Sequence, residues 1–176
     1  MGPQEVKLQK LRQIYQALLR LLQKKELIEI TVAELCRTAQ VSRTYYYRNF
    51  HSLQEVILKY KSWEMSAYLR RAHHAEEMSF NELMTVYFQL QKKEATSVTM
   101  LANAGLTETL VTTFETVYAY LIEQGKIEKM RLKNNYTTIF MAGAVVAVEL
   151  RWIQTGMKET PQQMGHILAA LFHINN

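Results

Sequence analysis

Apolar residues recur every three to four positions along most of this chain, the spacing that places side chains on one face of an α-helix. In the first such stripe, which runs from about Glu5 to Lys24, leucines and one isoleucine repeat at this interval. The 176 residues include only 6 Gly and 2 Pro, and no Asn-Gly or Asp-Gly pair marks a β-hairpin. We therefore predict an all-α fold.

A short polar residue followed three positions later by Glu or Gln forms a capping box, and such pairs divide the pattern into separate helices. Glycines at 105, 125 and 156 are expected to end three of them. We predict about nine helices, at residues 5–24, 31–40, 43–49, 53–74, 79–94, a shorter one ended by Gly105, 106–124, 135–155 and 160–173.

Residues 31–50 contain two short helices joined by a tight turn, which is the arrangement of a helix-turn-helix. Thr31 caps the first helix and Ser42 caps the second. Within the second helix, Tyr46 is spaced with Phe50 to face the interior. That spacing leaves a polar and aromatic outer face, which consists of Arg43, Thr44, Tyr45, Tyr47 and Arg48.

The motif across this segment is specific. It reads Ile30-Thr31-Val32, then Ala39-Gln40-Val41-Ser42-Arg43-Thr44-Tyr45-Tyr46-Tyr47-Arg48-Asn49-Phe50, then Ser52-Leu53-Gln54-Glu55. It resembles the DNA-binding helix-turn-helix of the TetR/AcrR family of bacterial transcription regulators. The resemblance implies an N-terminal three-helix bundle with the helix-turn-helix at 1–52 and a helical regulatory and dimerisation domain at 53–176. It also implies double-stranded DNA with a palindromic operator as the partner.

Each outer residue receives a role in DNA binding, because such a helix fits the major groove and its first residues reach base edges. Arg43 is expected to contact guanine through two hydrogen bonds. Tyr47 matches the family's phosphate-binding tyrosine, and Arg48 is placed to act likewise. The predicted DNA-binding residues are Thr31, Ser42, Arg43, Thr44, Tyr45, Tyr47, Arg48 and Ser52.

Three positions depart from the family pattern. Gln40 replaces the turn glycine and is expected to need a left-handed conformation, at a cost of ~1 kcal/mol. Asn49 replaces a histidine, and Leu53 replaces a lysine that contacts phosphate. We expect these changes to alter affinity and site preference rather than to abolish DNA binding.

The distribution of charge supports a polyanionic partner at one end of the molecule. Residues 1–63 contain 11 Lys or Arg and 5 Glu, a net charge of +6, whereas residues 64–176 contain 10 and 11, a net charge of −1. A surface that is basic without a specific partner is the alternative interpretation of this asymmetry alone.

Large aromatic and methionine side chains lie on successive helices of the C-terminal part. Such side chains line adaptable apolar pockets, although they are also typical of an ordinary core. We predict an unknown small-molecule inducer, apolar or aromatic and neutral to cationic, that binds among Trp63, Tyr68, Tyr87, Phe88, Met100, Phe114 and Tyr118.

The helix predicted at 135–155 is apolar almost all round, which indicates burial on more than one side. Its small residues allow close helix approach. Together with the last helix, it is expected to form a four-helix homodimer interface, although burial inside a monomer is the alternative. The predicted interface residues are Ala142, Gly143, Val146, Ala147, Leu150, Ile167 and Leu171.

Enzyme classes have little support in this sequence. It contains no Asp, no glycine-rich phosphate loop and no cysteine cluster. Adjacent His73 and His74 face apart on a helix. We expect no catalytic residue, no cofactor and no metal site.

The single Cys36 is expected to be a buried structural thiol in a reducing compartment. The longest apolar run, Ile139 to Val148, is too short to span a bilayer. We therefore expect a cytoplasmic protein with no membrane partner.

Two functions fit this sequence. The first is a homodimeric, ligand-responsive DNA-binding transcription regulator, with repression as the expected mode. The alternative is a helical co-regulator that keeps the motif but acts through a partner protein.

Overall fold

The computed structural model describes residues 2–72, 78–125 and 136–172, and in residues 71 and 72 the backbone only. These residues form eight α-helices and one turn of 3-10 helix at Leu27–Glu29, which confirms the all-α prediction. The predicted helix ends at His74, Asn135 and His173 lie outside the described residues. The helices are α1 (Pro3–Leu22), α2 (Val32–Ala39), α3 (Arg43–Asn49), α4 (Leu53–Ala72), α5 (Phe80–Asn103), α6 (Thr107–Glu123), α7 (Thr137–Gln154) and α8 (Pro161–Leu171).

Helix starts follow the predicted caps. Ser42 Oγ accepts a hydrogen bond from the Tyr45 amide at 3.1 Å, and Thr31 Oγ1 accepts one from the Glu34 amide at 3.2 Å. The predicted capping box at Thr31 is nevertheless only half formed. The Glu34 carboxylate does not return to the cap, because it accepts both of its bonds from Lys25 Nζ at 2.9 Å. This ion pair connects the segment after α1 to α2.

The first three helices form a bundle in which α1 packs on α2 and α2 packs on α3. Its centre includes Ile14, Leu18 and Leu35, none of which is exposed to solvent. Helix α4 also packs on α1, where the Tyr15 and Tyr60 rings stack with centroids 4.0 Å apart. Since α4 contacts the body as well, the domain boundary between residues 52 and 53 stays a prediction.

The body is arranged around α5, which packs on α4, α6, α7 and α8. Helix α8 lies closest to it, because Gly165 has no side chain. A Cβ atom at this position would lie 2.4 Å from Thr85 Oγ1 and 2.8 Å from the backbone oxygen of Asn81. No helix among the described residues is long and apolar enough to cross a membrane.

The predicted break near Glu94 is wrong, since α5 continues from Phe80 to Asn103. The polar residues that follow Glu94 are accommodated inside the helix. Ser97 Oγ donates to the Glu94 backbone oxygen at 2.9 Å and lies 2.8 Å from the Glu94 carboxylate. A serine satisfied by the preceding turn does not end a helix.

Candidate functional site

The outer face of α3 presents four of the predicted DNA-binding side chains to solvent. Arg43, Thr44, Tyr47 and Arg48 are all exposed, and 63% of Tyr47 is accessible. Two guanidinium groups, a hydroxyl and a phenol therefore share one short helix. All of these groups can donate hydrogen bonds to base edges or to phosphate oxygens.

The opposite face of α3 fixes the helix to the bundle. Tyr46 and Phe50 are buried, with ring centroids 5.5 Å apart, as their spacing predicts. Asn49 Nδ2 donates to the Tyr45 backbone oxygen at 2.7 Å. Lys59 Nζ from α4 donates to the Asn49 backbone oxygen at 2.7 Å, which satisfies a carbonyl at the end of the helix.

Tyr45 lies differently from the other outer residues of α3. It is partly buried and packs against the core, with Lys10 Nζ of α1 lying 4.4 Å from the centre of its ring. Burial raises the pKa of the Tyr45 phenol. A partner can therefore reach less of the Tyr45 ring than of the Tyr47 ring. The contact with Lys10 holds α3 against α1.

The turn between α2 and α3 has the predicted left-handed conformation, with φ 55° and ψ 41° at Gln40. An L-residue with a side chain adopts this region at a cost that glycine avoids. The turn therefore keeps its shape without glycine.

The other predicted DNA-binding residues, Thr31 and Ser52, cap α2 and α4 by accepting hydrogen bonds from the backbone amides of Glu34 and Glu55.

Three of the seven predicted ligand residues lie together. Tyr87 on α5 meets Phe114 on α6 edge to face at 5.1 Å, and the Phe114 and Tyr118 rings stack at 6.0 Å. With Met65 and Leu69 of α4, they line an apolar cavity of about 10 Å³. A cavity of this volume accommodates no organic ligand until side chains move.

The remaining four predicted ligand residues lie elsewhere. Phe88 packs against Trp152 at 5.1 Å on another side of α5. Trp63 lies beside Tyr60 of α4 and Arg12 of α1. The centre of the Tyr68 ring is 4.8 Å from Lys93 Nζ. Met100 lines an open cleft of about 1500 Å³ between the bundle and the body.

A buried polar cluster beside the aromatic cavity was missed by the sequence analysis. Glu149 of α7 is only 2% exposed, and its carboxyl group accepts a hydrogen bond from the Tyr87 hydroxyl. Burial raises the pKa of Glu149 to about 7, although the bond from Tyr87 and the charge of Lys61 act in the opposite direction. Burial and the carboxyl group together raise the pKa of Tyr87.

Lys61 of α4 is the buried cation of this cluster. Its Nζ donates to Glu64 Oε2 at 2.7 Å and lies 3.7 Å from Glu94 Oε2. A sequence signal for the cluster exists. Glu149 lies at helical spacing with Val145 and Trp152, so the sequence places a carboxyl group on the apolar, buried face of α7.

The predicted dimer residues divide between two faces of α7. Ala142 and Val146 face the interior and are buried within the chain. Gly143, Ala147 and Leu150 lie on another face, where no atom of the described residues outside the adjacent turns of α7 would lie within 4 Å of a Cβ atom at Gly143.

This outer face continues into an apolar surface. Phe140 at the start of α7 is 66% exposed and contacts the Phe172 ring at 6.2 Å. The predicted interface residues of α8 are also exposed, Ile167 by 41% and Leu171 by 64%. Within residues 2–72, 78–125 and 136–172, no group of three or more metal-binding side chains occurs; the pair His73 and His74 lies outside these ranges.

Comparison with known proteins identifies the C-terminal part. Residues 79–173, more than half of the chain, match the family model TetR_C_8, described as the C-terminal region of transcriptional regulators. Among curated protein sequences, none is significantly similar to this chain.

Solved structures with the same fold cover nearly the whole chain. The dihydroxyacetone kinase operon activator DhaS is 13% identical, with a TM-score of 0.52 over 93% of this chain and 94% of that one. The fatty acid degradation regulator FadR from Bacillus halodurans is 14% identical, with a TM-score of 0.54 over 98% and 95%. FadR from Bacillus subtilis, in complex with stearoyl-CoA, is 12% identical, with a TM-score of 0.50 over 92% and 96%.

Proposed function

We propose that this chain, which belongs to the TetR family of transcription regulators, is a homodimer that binds a palindromic operator and responds to a small molecule in its C-terminal body. The observation that carries the proposal is the outer face of α3. Arg43, Thr44, Tyr47 and Arg48 are exposed there, while Tyr46 and Phe50 hold the helix in the bundle.

The basic charge supports DNA as the partner of this face. The net charge of +6 in residues 1–63 attracts phosphates, whereas the body has no such excess. We assign Arg43, at the first position of α3, to a base edge, and Tyr47 and Arg48 to phosphates. Thr31, Ser42 and Ser52 cap the N-termini of α2, α3 and α4, which surround the proposed DNA contact.

The exposed apolar face of α7 and α8 supports a homodimer. Gly143, Ala147 and Leu150 of α7 lie on one side of it, and Ile167 and Leu171 of α8 lie on the other. Small residues on α7 allow the matching helix of a second copy to approach closely, and isologous pairing would give a four-helix interface. Two α3 helices would then face two half-sites of one duplex.

Helix α4 is the element that would transmit a ligand signal. Its first turn follows the helix-turn-helix, and Met65 and Leu69 in its second half line the apolar cavity of the body. A ligand bound there in only one arrangement of α4 would change the distance between the α3 helices of the dimer. A coupling of ~1–3 kcal/mol would alter operator affinity about 5- to 150-fold.

We propose repression as the mode of regulation, because a dimer seated on its operator excludes other proteins from the same DNA. The structure of Bacillus subtilis FadR in complex with stearoyl-CoA supports a small-molecule ligand for the body in general.

Selection from a random double-stranded DNA library tests the proposal. The full chain should enrich a palindromic motif, and a labelled duplex with that motif should bind at least 1000-fold more tightly than unselected DNA at the same salt concentration. Lys92→Ala, which removes one exposed cation from the body, should enrich the same motif. Failure to enrich any motif would contradict sequence-specific DNA binding.

One observation favours the alternative of a co-regulator that acts through a partner protein. Ile28, in the turn before α2, is 90% exposed and borders the cleft between the bundle and the body. If selection enriches no DNA, this surface is where a protein partner would be sought.

A further inference from the structure

The second cavity of the body, beside the apolar one, is lined by apolar and polar side chains, and two of the polar ones have already used their hydroxyl donors. Its volume is about 20 Å³, enough for one water, and α4, α5, α6 and α7 all contribute to it. The Tyr87 hydroxyl donates to Glu149, and Thr113 Oγ1 donates to the Thr109 backbone oxygen at 2.7 Å. What these two side chains leave to an occupant is acceptor capacity.

Gln91 adds an acceptor without a partner. It is buried and lines the same cavity, and its Oε1 atom has no hydrogen-bond donor among the described residues. A buried polar atom in this state carries a desolvation cost that an incoming donor would recover. The cavity is therefore lined by four side chains that can accept a hydrogen bond from an occupant, Tyr87, Thr113, Gln91 and Glu149.

The cluster also contains fewer cations than carboxyl groups. Among the described residues, Lys61 is the single cation that lines the cavity, and its ion pairs join it to Glu64 and Glu94 rather than to Glu149. One cation thus stands against three carboxyl groups. Burial raises the pKa of Glu149 to about 7 despite the charge of Lys61, so a further cation placed beside it would favour its ionised form.

We propose that the ligand of the body is a protonated amine with an apolar remainder, its ammonium group held by the Glu149 carboxylate and Gln91 Oε1. This inference rests on the proposed ligand-responsive function and specifies the chemical class of the ligand. The rings of Tyr87 and Phe114, which line both cavities, would contact the remainder and attract the charge.

Room for the ligand arises where the two cavities meet. Met65 of α4 lines both of them, together with Tyr87 and Phe114. A methionine side chain changes rotamer readily, and its movement would join the polar cavity to the apolar one. The ammonium group would occupy the polar end and the apolar remainder would lie toward Leu69 and Tyr118. Movement of Met65 would act directly on α4.

Calorimetry with matched probes tests the inference on the full-length protein. Phenylalkyl amines with two, four and six methylene groups are compared with the alcohols and carboxylates of equal chain length. At least one amine should bind ten times more tightly than both of its counterparts. The inference is overturned if no amine binds, if each amine binds within threefold of its alcohol, or if a carboxylate binds most tightly.

Glu149→Gln keeps the shape of the side chain and the acceptor for Tyr87 but removes the charge. It should abolish the tenfold preference for the amine, while Glu108→Gln, the same change at an exposed position of α6, should retain it. If Glu149→Gln fails to fold, as judged by circular dichroism, Gln91→Leu replaces it and should weaken amine binding at least threefold. An unchanged preference in the folded variant would overturn the inference.

Proton release gives an independent readout. The ammonium group should displace the proton held by neutral Glu149, so amine affinity should rise from pH 6 to pH 8. The charged and titratable groups that face Glu149 are Lys61 from α4 and Tyr87 from α5. The raised pKa of Tyr87 keeps its phenol protonated in this range. Titrations in buffers of different ionisation enthalpy would detect the proton. Equal heats in all buffers would contradict the assignment of Glu149.

Operator binding separates this inference from the proposed function. If the wild type binds its selected operator but no amine, the inference fails and DNA binding stands. If amines bind as expected but no operator is selected, the function fails instead.

Discussion

Arg43 and Arg48 have the same charge, lie on the same helix and are both exposed, yet different effects are expected from removing them. Arg43→Ala should relax base preference at one position of each half-site, at a cost of ~1–3 kcal/mol for that base pair. Arg48→Ala should weaken binding to all sequences alike and reduce the salt dependence by about one counterion. Anisotropy titrations over operator variants and salt concentrations measure both effects. An unchanged ranking of operator variants in Arg43→Ala would contradict its role.

Glu149 makes stability depend on pH in a defined direction. Its pKa is raised to about 7 in the folded chain from an ordinary value of 4.5, so the folded state binds more protons between these values and loses stability as pH rises through them. Glu149→Gln should remove this loss. Relative to the wild type, the variant should gain ~1–3 kcal/mol between pH 4.5 and 7.5, measured by urea unfolding at a fixed protein concentration. A constant difference over this range would contradict the buried carboxyl group.

At the residue scale, the sequence was informative where contacts are local. The burial of Tyr46 and Phe50 follows from their spacing within one helix and the turn after it. The convergence of Tyr87 and Phe114 depends on how α5 meets α6, which periodicity within one helix does not specify. For the same reason, Phe88 was grouped with Tyr87 although it faces Trp152.

At the scale of elements, the close approach of α8 to α5 is the most restrictive contact. Gly165→Ala would place a Cβ 2.8 Å from a backbone oxygen of Asn81, which cannot move as a side chain can. We expect a loss of ~1–3 kcal/mol in the free energy of unfolding. Gln162→Ala, at an exposed position of the same helix, should change it by less than ~0.5 kcal/mol. Equal stability of the two variants would show that the helices lie further apart.

Helix boundaries could be predicted wherever a cap or a glycine marks them. Helix α3 occupies the predicted residues 43–49, because the Ser42 cap is a contact within a single turn. The break predicted near Glu94 failed, because Ser97 satisfies its hydroxyl within the helix and because residues on both sides of Glu94, such as Leu83 and Leu101, are buried. A weak local signal is overridden when tertiary packing buries residues in both halves of a long helix.

At the scale of the whole molecule, the exposed face of α7 and α8 defines the expected assembly. Ala147→Glu would place a charge at the centre of this face without entering the core, because Ala147 is exposed in the single chain. We expect sedimentation to show monomers at micromolar concentration with unchanged helix content. Thr116→Glu, on the exposed side of α6, should leave the dimer intact. A wild-type monomer at this concentration would contradict the interface.

We predict that two copies of α3, held by one dimer, bind the two half-sites of one operator. The most direct test is equilibrium anisotropy of the wild-type protein on the selected palindrome and on a duplex of equal length with one half-site scrambled. Because the second half-site is bound within the same complex, scrambling it should weaken binding about 100-fold or more at constant salt. Equal affinity for the two duplexes would contradict the paired recognition helices.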